Sequence, residues 1–217
     1  MAEAAAKLAR WRLVALFAAV IFAGSAVAAP LNLQTEQQSD FFTFFHLTPA
    51  GAPSAIAGGQ AWHSFRPSGP AFHDLVEVDI LAGADGAISA ARIAVDRSFI
   101  DSPSNGVFAR DIAKSFLSWS IRNPSPQIAN LIANLADLSG TGGTVIMRGT
   151  PSPPPPDATG LYNVYLGHAP RATLTDGGVT LAFTNFPGTL PADRAFAAET
   201  APAGGDKAGW LRIDVDL

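Results

Sequence analysis

The stretch "HDLVEVDILAGADGAISAARIAVDRSFI", His73–Ile100, decides the fold class. Apolar and polar residues alternate on both sides of "GADG", and a period of two about a turn rich in Gly and Asp is the pattern of a β-hairpin. Successive strand side chains point to opposite faces, so Val76, Val78 and Ile80 share one face with Ile93 and Val95, while Glu77, Asp79, Arg92 and Asp96 share the other. A four-residue loop over Gly83–Gly86 would set Glu77 opposite Arg92, a favourable cross-strand pair. The polar row is expected to be a solvated sheet face, with a cation site as the rival reading.

Beyond the hairpin the period changes to that of helices. Ser102 followed by Pro103 has the form of an N-cap and first helical position. Phe108, Ile112, Phe116 and Trp119 form a stripe, widened by Ala109, Ala113, Leu117 and Ile121, with Arg110, Asp111, Lys114 and Ser118 opposite. Asn123 and Pro124 end that helix. A second is expected from Ser125 and Pro126, burying Ile128, Leu131, Ile132 and Leu135 and stopping at Gly140. So short a link predicts a two-helix hairpin laid on a sheet.

The rest returns to strands: "TVIMRG" from Thr144, "LYNVYLG" from Leu161, and "RATLTDGGVTLAFTNF" with a hairpin turn at "TDGG". The closing "WLRIDVDL" turns Leu211, Ile213, Val215 and Leu217 inward and Arg212, Asp214 and Asp216 outward, and is expected to pair inside the sheet. A Pro-rich loop at 151–157 and a long loop at 187–209 interrupt the pattern. Strands, then helices, then strands predict an α+β domain over 29–217, with a mainly antiparallel sheet of about six or seven strands and the helical hairpin packed on one face.

Toward the N-terminus, "DFFTFFHL", Asp40–Leu47, reads as a strand with two apolar faces, suited to a sandwiched position and mostly core. A helix beginning near Thr35 is the rival, since Phe41, Phe44 and Phe45 also fit helical spacing, and an exposed aromatic patch here would mark a binding surface. Residues 1–28 have the form of a secretory signal peptide: Lys7, Arg10 and Arg12, the apolar run Leu13–Gly24, then Ala26–Val27–Ala28 before the cut. An uncleaved anchor is the alternative. Removing 1–28 takes away three positive charges and Glu3, which moves the formal net charge from −4 to −6. Nucleic acid and anionic membrane surfaces are poor partners for such a chain.

There is no cysteine, so disulfides, thiolate metal sites and cysteine nucleophiles are excluded. No G-x-S-x-G turn occurs, and neither long helix carries a histidine pair for a metal, so no cofactor or metal is expected. "SGTGGT", Ser139–Thr144, follows a helix and opens a strand, the wrong order and polarity for a phosphate loop, and reads as a cap and linker. "AGGQAWHSFRPSG", Ala57–Gly69, has the composition of a contact loop, and Trp62, His63, Phe65, Arg66 and the nearby His73 are the candidate contact residues. The competing reading is an irregular strand with Trp62 and Phe65 in the core. The expectation is an exported, periplasmic or secreted, non-enzymatic protein that binds a small molecule or an envelope protein. A periplasmic hydrolase assembled around His63, His73 and Asp74 is the alternative.

Overall fold

Strands of alternating sequence from the middle and the end of the chain pair antiparallel through the centre of one sheet. A computed structural model describes residues 30–135, 139–141, 144–146, 158–186 and 209–217. The expected signal segment, the Pro-rich loop and the long loop up to residue 208 lie outside the described residues.

The described chain runs α1 (Leu33–Glu36), α2 (Asp40–Phe44), β1 (Leu47–Pro49), β2 (Ser54–Ala55), β3 (Ala61–Pro67), β4 (Val76–Ala82) and β5 (Ile88–Asp96). It continues with α3 (Arg97–Ile100), α4 (Gly106–Ser120), α5 (Pro126–Leu135), β6 (Ser139–Thr141), β7 (Thr144–Ile146), α6 (Thr159–Tyr165), β8 (Arg171–Asp176), β9 (Val179–Phe186) and β10 (Trp210–Asp216). Eight strands form one antiparallel sheet in the order β1-β3-β4-β5-β10-β9-β8, with β2 also on β3, and β6 and β7 pair separately. The architecture is α+β. Where a single helical hairpin was expected, the described residues hold six α-helices, four of them seven residues or shorter, and one 3-10 turn at Ala57–Gly59.

The β4–β5 hairpin forms as its alternation predicts, and Val76, Val78, Ile80, Ile93 and Val95 are buried together. Its register is not the expected one. Gly83 N donates to Ala87 O, closing a five-residue loop, and a bulge follows where Ala82 pairs with Ile88 but Leu81 with Ala90. The two extra residues move Arg92 from Glu77 to Asp79, and Glu77 faces Ala94 instead. An even shift keeps every side chain on its own face, so the same residues are buried in either register. β10 enters between β5 and β9 as expected, with Leu211, Ile213 and Val215 in the core, although Leu217 is exposed. In the β8–β9 hairpin Gly177 and Gly178 both take positive φ, 60° and 84°, the backbone a two-residue turn of this hand requires.

One sheet face packs on the helices. Ile112, Phe116 and Leu117 of α4 and Ile128, Leu131 and Leu135 of α5 join the sheet's apolar residues in one cluster. α4 starts at Gly106 and not at Ser102, because Ser102 closes a preceding turn: its carbonyl accepts from Gly106 N and its hydroxyl from Asn105 N. A Cβ on Gly106 would stand 2.5 Å from the Ile100 carbonyl oxygen, so the helix begins where it does because only glycine allows that approach to α3. α5 begins as expected, with the Ser125 hydroxyl accepting from Ile128 N. Its described part runs to Leu135, and beyond it Ser139–Thr141 pairs with Thr144–Ile146, strand pairing where a cap and linker were expected.

"LYNVYLG" is the helix α6, not a strand. Leu161, Tyr162, Val164 and Tyr165 are all buried, a grouping at one, three and four positions that suits a helix. Gly167 N donates to Val164 O and His168 N to Asn163 O, the paired bonds of a helix ending on a left-handed residue. The buried Arg97 guanidinium ties α3 to α6 through the Tyr165 carbonyl at 2.6 Å, and burial lowers its pKa.

Burial raises the pKa of both the Tyr162 and the Tyr165 hydroxyl, and that of Tyr165 has no hydrogen-bond partner among the described residues. A hydroxyl with a raised folded pKa adds stability that is complete below the ordinary value of 10.0 and is lost as pH climbs toward the folded value. Denaturant unfolding followed from neutral pH upward should show stability falling above pH ~10, by up to about 1.4 kcal/mol per pH unit for each tyrosine. Tyr165→Phe should make that fall about half as steep and should add about 1 kcal/mol at neutral pH by removing an unpartnered hydroxyl.

The other sheet face is dry at its centre, although Glu77 and Asp96 toward its edges are only half-buried. Asp79, Arg92, Arg212 and Asp214 are each at most 4% exposed. They fit there because opposite charges meet across the strands. Asp79, Arg92 and Asp214 lie in one row, Arg92 Nε is 3.2 Å from Asp214 Oδ1, and Arg212 Nε donates to Asp214 Oδ2 at 2.9 Å. Ser64 Oγ donates to Asp79 at 2.6 Å, and the Arg92 and Arg212 guanidiniums lie over the rings of Trp62 and Phe186 at 4.4 and 4.7 Å. Alternation in a sequence marks which residues share a face; only the pairing across strands shows whether that face can be dry.

Candidate functional site: a phenylalanine-walled cavity

"DFFTFFHL" forms the helix α2 and then turns into β1. Over five residues a helix sends side chains in several directions, so the phenylalanines part company. Phe41 and Phe42 are buried. Phe41 stacks on Trp119 at 5.2 Å and meets Phe45 and Phe116 at 5.5 and 6.0 Å, while Phe42 meets Phe65 edge-on at 5.0 Å. Phe44 goes the other way and is 76% exposed. The strand expected here is therefore corrected to a helix, and the expected core is only half of the segment.

His46 ends α2 with φ 49°, the left-handed region that β-carbon-bearing residues avoid. Its N–H donates to Thr43 O and its carbonyl accepts from Ser68 N, so the turn that carries Phe44 and Phe45 is pinned to the β3–β4 connection. A non-glycine residue held there costs about 1 kcal/mol, and such strain is found where surrounding structure imposes it.

Between this turn, the β3–β4 connection, α3 and the first turn of α4 lies a cavity of about 290 Å³. Phe44, Phe45, Phe72, Phe99 and Phe108 wall it, with Val76 and Ile112 at its base. No charged residue lines it. Phe108, placed by sequence in the buried stripe of α4, is 57% exposed on the rim, since the first turn of α4 overhangs the cavity rather than the sheet. Phe72 bridges the two walls, 5.3 Å from Phe99 and 6.3 Å from Phe108.

Beside it, and sharing Phe44, Phe45 and His46, opens a wider cleft of about 1210 Å³ between α1, α2 and α4, with charged as well as aromatic residues in its lining. Glu36 forms its inner wall, accepting from Trp119 Nε1 at 2.8 Å and pairing with Arg122, which clamps the α1 segment to the end of α4. Asp40, Asp111 and Lys114 also line the cleft.

The residues singled out from sequence lie elsewhere. "AWHSFRP" is the strand β3, with Trp62 and Arg66 on the charged face and His63 and Phe65 on the helical face. Trp62 and Phe65 are buried, and Arg66 bonds Glu77 at 2.6 Å. His73 is exposed, with Nδ1 2.9 Å from Pro67 O, and Asp74 is exposed beside Arg66. None of Trp62, His63, Phe65, Arg66, His73 or Asp74 lines either cavity. Among the described residues no group of three His, Cys, Asp or Glu is placed to hold a metal ion, and no helix is long and apolar enough to cross a membrane. Five of the chain's 14 phenylalanines wall the cavity, and that excess of Phe over two tyrosines is the one compositional trace of the site in the sequence.

The chain matches no known protein family, and neither a curated protein nor a solved structure is similar to it.

Proposed function

We propose that the protein is an exported, non-enzymatic binding protein that takes an apolar ligand into the phenylalanine cavity. The observation that carries this reading is the rim: Phe44 and Phe108, 76% and 57% exposed, stand at the mouth of a cavity with no charged lining. Large aromatics left in water beside a preformed apolar hollow cost free energy that a bound apolar group would recover. A cavity near 300 Å³ is at the small end of ligand sites and suits a single ring system or alkyl chain. Export to the periplasm or beyond is supported by the signal-like pattern of residues 1–28. Nothing in the placement of His63, His73 and Asp74 favours the hydrolase reading.

Titration with the neutral fluorophore N-phenyl-1-naphthylamine tests the proposal. The expected result is saturable binding to one site, weakened about tenfold by combining Phe44→Ala with Phe108→Ala, since each ring contributes part of the buried area. Absence of saturable binding, or equal affinity in the double variant, refutes it.

A further inference from the structure

We infer that the ligand is a single-chain amphiphile with a zwitterionic head group, its chain in the phenylalanine cavity and its head in the adjoining cleft. This rests on the binding role proposed for the cavity and names the chemistry of what binds. The two hollows share Phe44, Phe45 and His46 in their linings, so they lie side by side and a chain seated in the first would carry its head group toward the second. They differ in kind: the first has no charged lining, whereas the second is lined by five charged residues, Glu36, Asp40, Asp111, Lys114 and Arg122.

Those five are not equivalent. Glu36 and Arg122 neutralise one another, and Glu36 has the Trp119 indole as well. Asp40, Asp111 and Lys114 have no side-chain hydrogen bond or ion pair among the described residues. Asp40 opens α2, and Asp111 and Lys114 stand three apart on the facing helix α4, so exposed carboxylates come from both walls and one half-buried lysine from α4. A simple anion would be drawn to Lys114 and repelled by two carboxylates, and a simple cation would meet the reverse. A phosphate joined to an ammonium satisfies both signs at once, with His46 at the junction as a further donor. Such a head group occurs on single-chain phospholipids, and the same chemistry is met in the surface of a bilayer.

Calorimetric titration of the folded protein with decylphosphocholine below its micelle-forming concentration tests this, compared with decyl maltoside, phosphocholine without a chain, and phosphatidylcholine vesicles. Decylphosphocholine should bind at least tenfold tighter than the maltoside, and shortening the chain should lower affinity about fourfold per methylene. Lys114→Met, and Asp40→Asn combined with Asp111→Asn, should each narrow the gap between the two head groups while leaving naphthylamine binding unchanged. Equal affinity for phosphocholine and maltoside with naphthylamine still bound would overturn the head-group assignment and leave the cavity reading standing. Failure of every amphiphile and of the naphthylamine would remove both. Chainless phosphocholine binding as well as the decyl compound, or co-sedimentation with vesicles without binding of the monomer, would also overturn it, the latter in favour of a membrane surface.

Discussion

Asp214→Ala should lower the unfolding free energy by about 3–5 kcal/mol, one of the two largest effects expected anywhere in the chain. Asp214 is 1% exposed and stands between two guanidiniums, with Arg92 across the strand pair and Arg212 two residues along its own strand. Removing the carboxylate leaves those two positive charges buried on one sheet face, and desolvation is no longer offset. In a chain of this size the loss corresponds to a drop in Tm of about 10 °C. Replacing Asp79, Arg92, Arg212 and Asp214 together by Leu, Met, Met and Leu should cost little or even stabilise, because all four buried charges are then absent rather than unmatched. The effect should persist at high salt, since burial shields it from screening. A cost below 1 kcal/mol for Asp214→Ala in denaturant unfolding would mean that this face behaves as a wet surface.

Phe41→Ala should cost about 3–5 kcal/mol, the usual range for truncating a buried phenylalanine. Its ring meets four others, those of Phe42, Phe45, Phe116 and Trp119, and so joins α2 to α4. The stacked Trp119 supplies a second readout: its emission should shift to the red in the variant as water reaches the indole. Phe44→Ala, three residues on, should change stability by no more than about 0.5 kcal/mol, because an exposed ring has little burial to lose.

The hairpins and the α5 helix are legible because their signals are local. Asp176–Gly177–Gly178 supplies the turn backbone, Ser125–Pro126 the helix start, and the alternation of Val76, Val78 and Ile80 the buried face. The β4–β5 register was not legible, since a five-residue loop and a bulge change it by two without altering the pattern of faces. α6 was misread because Leu161–Tyr165 is too short for period two and period 3.6 to be told apart, although Gly167 at its end was a usable stop signal. The charged face was legible as polar but not as dry: dryness depends on Arg92 finding Asp79 and Asp214 on neighbouring strands. The cavity was the least legible feature. Its walls come from α2, the β3–β4 connection, α3 and α4, and no spacing in the chain announces that Phe44 and Phe108 face the same hollow. Conversely, Trp62, His63, Phe65 and Arg66 looked like a contact loop because a strand with one charged and one apolar face has the same composition as one.

On the proposed binding role, neighbouring phenylalanines of one short helix divide between holding the fold and holding a ligand. Unfolding free energy and naphthylamine affinity, measured side by side for Phe41→Ala and Phe44→Ala, separate the two roles. The expected result is a crossed pattern: Phe41→Ala loses several kcal/mol of stability, while Phe44→Ala keeps the stability and loses several-fold in affinity. The contradicting result is a parallel one, in which Phe44→Ala destabilises the fold as much as Phe41→Ala does, or leaves the affinity where it was.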